Sequence, residues 1–280
     1  MARKRITQIF PFLLPLRVKQ RKLFFYLKMR FDRNRYSKII QNERLPYEVF
    51  HASFSMINEE SGHDIQYQYN KVHNLKLAAA TMNGLLIKPS ETFSFWMRAR
   101  FADKKIPYKD GLTLVYGKVI GQYGGGLCQL SDLIYWMFLH TPLEIVERHP
   151  HTIRSFPASG IPQGAEATIS EGWLDLKAKN RTSRLYQLVF EFTEDSINGF
   201  ILSDSPAECR FEVEARDVVY IRRKDSMFEQ ANVYRKSLDA ETGTVVSEDF
   251  LYTDRCEIGF NPPEGCLLYT SPSPRDRSLS

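Results

Sequence analysis

Gly124-Gly125-Gly126-Leu127-Cys128-Gln129-Leu130-Ser131 is the stretch where this chain changes character. Three consecutive glycines open backbone conformations closed to other residues and leave room beside the chain. Leu127, Leu130, Leu133, Ile134, Met137 and Phe138 then recur at three- and four-residue steps up to His140, and Pro142 ends the run. That spacing predicts an amphipathic helix beginning at the cysteine. Upstream, Val72, Leu75, Leu77, Ala78, Ala79, Met82 and Leu85 predict a helix over 67–87, with Asn83-Gly84 as its stop signal. Residues 91–96 alternate polar and aromatic side chains and predict a short strand. Downstream, short runs at 143–148, 167–170, 173–179, 186–192, 200–203, 211–215 and 218–222 are β-branched or aromatic and separated by Asn, Gly, Asp or Pro. Helices lead and strands follow, which predicts an α+β fold with a cysteine-bearing helix and a mainly antiparallel sheet.

The 280 residues are 43% apolar and 25% charged, which excludes a disordered, collagenous or coiled-coil chain. No apolar run approaches the ~18 residues needed to span a bilayer. Charge is distributed unevenly. Residues 1–40 hold twelve Lys/Arg and one acid, Asp32, whereas residues 41–265 hold 24 basic and 31 acidic side chains. The chain therefore divides into a basic arm (1–40), an acidic body (41–265) and a terminal segment, 266–280. That last segment resembles a translated sequencing adaptor and is set aside from fold reasoning. Residues 18–36 mix cations with Leu23, Phe24, Phe25, Tyr26, Leu27 and Met29. Such a helix either lies in a membrane interface or docks on its own domain with a solvated basic face.

No small-x-small cleavage site follows the short apolar stretch near the start. The expectation is a cytoplasmic protein, or one held peripherally on the cytoplasmic membrane face through residues 1–36. The body offers no basic face to match the arm, which argues against nucleic acid as a partner. Cys128, Cys209 and Cys256 are too widely spaced for a disulfide framework or a CxxC knuckle, so cysteine usage does not decide the compartment.

Cys128 is the candidate nucleophile. At a helix N-terminus, unpaired N–H groups and the positive dipole end favour the thiolate and could hold an oxyanion. The plainer alternative is a buried cysteine acting as a small hydrophobe. His149-Pro150-His151 follows the strand at 143–148, and His151 comes 23 residues after Cys128. A helix, a turn and one strand fit that interval, so His151 can return to the helix start as the base of a Cys–His pair. Glu166 and Asp175 are the acids able to orient the imidazole. A metal site built from His149, His151, Cys128 and a carboxylate, which would make the chain a zinc-dependent amidase, is the rival arrangement, although His-Pro-His spacing alone is weak support. Gly124, Gly125, Gly126, Gln129, Ser131, Trp96 and His149 make up the candidate substrate-binding set, with Trp96 read either as groove lining or as core. No metal or other cofactor is required by this reading.

Several segments together resemble the VanW family of B-type vancomycin-resistance clusters, from residue 1 to about 260. They are the Arg-Lys-Arg-Ile-Thr-Gln start, Asn74-Leu-Lys-Leu-Ala-Ala79, Asn83-Gly-Leu-Leu-Ile-Lys-Pro89, 91–96, 107–113, Gly124-Gly-Gly-Leu-Cys-Gln129, 138–143 and 167–173. The resemblance implies a cell-wall protein associated with glycopeptide resistance. It further implies L,D-transpeptidase-like chemistry on peptidoglycan stem peptides or precursors, with the motif cysteine at Cys128 and the family's downstream histidine at His151. Three positions depart from the pattern: Ser90 stands where many relatives have Gly, Glu166 where they have Asp, and Trp96 where the wider family often has Asn.

Overall fold

The computed structural model describes residues 10–115, 117–154, 161–223, 226–263, 266 and 268–270. Expectations for residues 1–9 and 271–280 lie outside the described residues. A single 3-10 turn leads into α1 (Leu14–Phe31), and β1 (Arg35–Tyr36) and β2 (Tyr47–Ser55) follow. α2 (Gln66–Ala80) starts where the Asp64 carboxylate accepts the Gln66 N–H at 2.9 Å. It buries Leu75, Ala78 and Ala79. The predicted helix over 67–87 therefore ends early. Gly84, at φ 77, turns the chain, and β3 (Leu85–Ile87) pairs with a strand from the second half of the chain.

β4 (Glu91–Ser94) stops two residues before the predicted end, because the Ser94 side chain accepts the Met97 N–H and caps α3 (Phe95–Ala99). A hairpin of β5 (Asp110–Val115) and β6 (Lys118–Tyr123) then delivers the three glycines, and α4 spans Cys128–Leu139. After it come β7 (Glu144–Glu147), β8 (Ile153–Arg154), β9 (Lys177–Lys179), β10 (Tyr186–Phe192) and β11 (Ser196–Ser203). β12 (Cys209–Arg223), β13 (Ser226–Asp239), β14 (Val245–Ile258) and β15 (Leu268–Thr270) complete the order. β15 lies within residues 266–280.

The fold is α+β. One sheet has the order β1-β4-β9-β7, the second β2-β11-β10-β3 and the third β15-β12-β13-β14-β8, beside the β5-β6 hairpin. Most pairs are antiparallel; β1 with β4, β12 with β15 and β14 with β8 are parallel. The predicted strand at 167–170 reduces to a single bridge, Ser170 to Leu174, since its backbone is spent on loop contacts. The two strands predicted at 211–215 and 218–222 are one long strand, with an irregularity at Arg216 to Val219 and Asp217 at φ 52. The main core lies around α4, whose Leu130, Leu133, Ile134, Met137 and Phe138 are all fully buried, joined by Leu75, Phe93, Phe95, Leu188 and Ile197. Burying a side chain of this size contributes ~1.5–3 kcal/mol relative to exposure. The resulting core fixes the N-terminal end of α4, and with it Cys128.

Candidate active site

The glycine loop is clamped before the cysteine is reached. Gly124 and Gly126 take φ of 71 and 92, in the left-handed region that a Cβ disfavours. Gly125 packs on Gly111 so closely that a Cβ on either would collide with the other's carbonyl. Asn74, fully buried on α2, donates to Lys109 O at 2.9 Å and Gly125 O at 3.0 Å, while its Oδ1 accepts the Lys109 N–H at 2.8 Å. The loop thus reaches α4 with little freedom left.

Cys128 opens α4, and its Sγ lies 3.6 Å from Thr168 Oγ1 and 3.9 Å from Ile169 O. The N–H groups of Leu127 and Cys128 meet no hydrogen-bond acceptor among the described residues, as expected for the start of a helix. Burial, together with the nearby Asp132 carboxylate, pushes the Cys128 thiol above its ordinary range. This reverses the expectation from the helix dipole: desolvation of the thiolate outweighs the favourable helix end.

His151 returns to the helix start as the spacing predicts, and lines a cavity of about 480 Å³ with Cys128, Thr168 and Asp132. Its Nε2 stands 3.6 Å from Asp132 Oδ1. Burial alone would lower the His151 pKa. The adjacent Asp132 carboxylate and the charge of Glu166 outweigh burial and raise it. No hydrogen bond joins His151 to Cys128 directly.

The acid on the imidazole is Asp132, not Glu166. Glu166 lines the same cavity, but its Oε2 accepts Arg154 Nε at 3.0 Å and pairs with Arg154 Nη2. Arg154 in turn reaches Glu229 Oε1 of β13 at 2.5 Å. Asp175, the other acid considered, is fully buried elsewhere and accepts Ser94 Oγ at 2.5 Å and the Trp96 N–H at 3.1 Å. Asp132 was legible in principle, since four residues after Cys128 it shares that face of the helix. Its Oδ1 also accepts the Ala167 N–H at 2.8 Å, fixing the strip that faces the cysteine.

Other expected site residues divide. His149 turns away to Glu147 Oε1 at 3.0 Å, so the arrangement with His149, His151 and Cys128 around one metal does not form. Among the described residues no group of three or more His, Cys, Asp or Glu is placed to hold a metal ion. Ser131 is fully buried, its hydroxyl 2.9 Å from Cys128 O and 2.6 Å from Ala167 O, so it braces the helix rather than meeting a substrate. Gln129 points the other way and donates to Ser55 O of β2 at 2.5 Å. Trp96 joins the core and donates to Leu174 O at 2.9 Å, yet it also edges a second cavity of about 390 Å³. Gly124, Gly125, Gly126 and Cys128 share that second cavity. Cys128 therefore sits between two recesses.

A profile of the VanW family, described as VanW like protein, matches residues 70–202. The chain is 46% identical over 266 residues to the vancomycin B-type resistance protein VanW of Enterococcus faecalis, covering 94% of this chain and 97% of that protein. This chain belongs to the VanW family. The uncharacterised protein YoaR of Bacillus subtilis is 33% identical over 112 residues, 40% of this chain and 36% of its own length. No solved structure matches. The VanW profile spans Cys128, Asp132, His151 and Glu166, whereas Glu229 and Asp254, which anchor the guanidiniums behind the cavity, lie beyond it.

Proposed function

We propose that this VanW-family protein is a cysteine acyl transferase of the L,D-transpeptidase type, acting on peptidoglycan stem peptides in a setting of glycopeptide resistance. The observation that carries this reading is the convergence of Cys128 and the Asp132–His151 pair on one cavity. The two unengaged N–H groups of Leu127 and Cys128 at the head of α4 stand beside them. In the reaction, Sγ of Cys128 bonds to the carbonyl carbon of a stem-peptide amide as its proton passes to His151. The oxyanion takes the N–H groups of Leu127 and Cys128. The C–N bond breaks, and the departing amine leaves with the proton from His151. An amine or water then attacks the thioester, returning the proton through His151 to the thiol. Asp132 holds the imidazole and stabilises its charged form.

The two recesses flanking Cys128 suit a leaving segment on one side and an acceptor on the other. Incubation with a synthetic tetrapeptide stem and intact-mass measurement tests the reading. A thioester adduct that is absent from Cys128→Ala is expected, and equal labelling of both proteins sinks it. A precursor-binding module is the second reading, favoured by the thiol contact to Thr168 and Ile169. It predicts stem-peptide affinity unchanged in Cys128→Ala with no adduct in either protein.

A further inference from the structure

α1 carries two apolar faces. The inner one is spoken for: Met29 is buried, Phe25 and Tyr26 pack on the core, and Lys22 and Tyr26 both bond to Glu171. A Cβ on Gly172 would lie 2.9 Å from Lys22 Cγ, so helix and domain are in close backbone contact. At ~100° per residue, Leu16, Leu23, Phe24, Leu27 and Phe31 fall on the opposite side. They are 65%, 59%, 60%, 41% and 77% exposed. Arg17, Arg21 and Lys28 run along one flank of this stripe and Lys19 and Arg30 along the other, all exposed. No acid occurs between Leu14 and Phe31. Among the described residues no helix is long and apolar enough to cross a membrane.

We propose that the outer face of α1 docks on an anionic phospholipid surface. An apolar stripe with cations on both flanks matches a leaflet edge, where the side chains enter the acyl boundary and the cations meet phosphates. A second copy is a poor occupant, because a two-fold contact through this face would set the same cations against each other. Each cation held at such a surface changes partitioning about fivefold. The inner side of the same helix brings Val18, Arg21 and Lys22 to the recess that holds Cys128. Docking therefore places that recess one helix diameter, ~10 Å, from the bilayer surface. Resting on the acyl-transfer reading, this assigns the substrate as a stem peptide carried on a membrane-anchored lipid.

The test is co-sedimentation of the full chain with vesicles of phosphatidylcholine alone or with about one-third phosphatidylglycerol. Binding is expected only with the anionic lipid, and should fall steeply in high salt. A variant combining Leu23→Glu, Phe24→Glu and Leu27→Glu should bind at least 100-fold more weakly while keeping its circular dichroism and its turnover of a soluble stem peptide. Cys128→Ala should bind vesicles as the parent does, so failure of the chemistry and failure of docking are separable. The docking is overturned if the intact protein ignores anionic vesicles at low salt, if the triple variant binds equally, or if the parent is a dimer that the triple variant abolishes. The substrate assignment is overturned if the triple variant turns over vesicle-anchored and soluble stem peptides with the parent's ratio.

Discussion

Asp132 stands one turn of α4 beyond Cys128, and its carboxylate lies 3.6 Å from His151 Nε2. One side chain therefore acts on both reacting groups. Its charge pushes the proton affinity of the imidazole up and adds to the rise that burial gives the thiol.

Asp132→Asn should lower turnover roughly 100-fold, within the span that general acid–base catalysis contributes. The pH profile should move as well. A neutral His151 is needed to accept the thiol proton, so in the parent the acid limb should lie above the ordinary histidine value of 6.5. Without the Asp132 charge that limb should shift to lower pH. An unmoved limb would remove Asp132 from its positioning role.

Glu166→Gln offers the contrast. Glu166 is bonded to Arg154 rather than to the imidazole, so turnover should change less than tenfold while stability falls by about 1–3 kcal/mol. Arg154→Ala should be worse, at about 3–5 kcal/mol, because it leaves both Glu166 and Glu229 buried without their partner. Urea unfolding of the two variants checks the order.

Alkylation of Cys128 by iodoacetamide should be slow at neutral pH and accelerate with a midpoint above 9, the ordinary value for a thiol here. Peptide mass mapping would separate this site from Cys209 and Cys256. A midpoint below 8 would mean that the helix end, not burial, sets the thiol.

Ser90 takes φ 66 at the tight turn into β4, where a Cβ is strained. Ser90→Gly should relieve that strain, partly offset by the greater freedom of glycine in the unfolded chain, for a net gain of roughly 0.5 kcal/mol. Thermal denaturation would detect a rise of a degree or two, and a fall would show that the serine is accommodated without cost.

Burial raises Asp175 from 3.8 to about 6, against its bonds from Ser94 and Trp96. A carboxyl raised on folding adds stability below its unfolded value and loses it as pH rises through the folded one. The parent should therefore lose on the order of 2–3 kcal/mol from this group between pH 4 and 6. Asp175→Asn should flatten that slope in urea titrations.

Much of this could be read from the chain. α4 is legible because its apolar spacing is uninterrupted and three glycines precede it. Residues 186–192 are legible as β10 because both faces of that strand are largely apolar and buried. β13 and β14 were not, since Glu229, Arg235, Lys236 and Asp254 interrupt their apolar residues. Their charges are met only across the sheet, as Lys236 meets Glu214 at 3.1 Å and Arg235 stacks on Phe211. The cysteine and histidine were found by spacing and by family resemblance. The choice of Asp132 over Glu166 was hidden, because nothing local announces that Arg154 will claim Glu166.

Arg148 pairs with Asp254 of β14, and Arg154, which lines the cavity from β8, pairs with Glu229 of β13. Exchanging segments between relatives at a junction near residue 205 would separate Arg148 from Asp254 and Arg154 from Glu229, leaving Arg154 with Glu166 alone. A chimaera made there should accumulate as insoluble protein unless the incoming half supplies carboxylates at those two positions. The unit that recombination can move intact is then longer than the stretch that bears the cysteine.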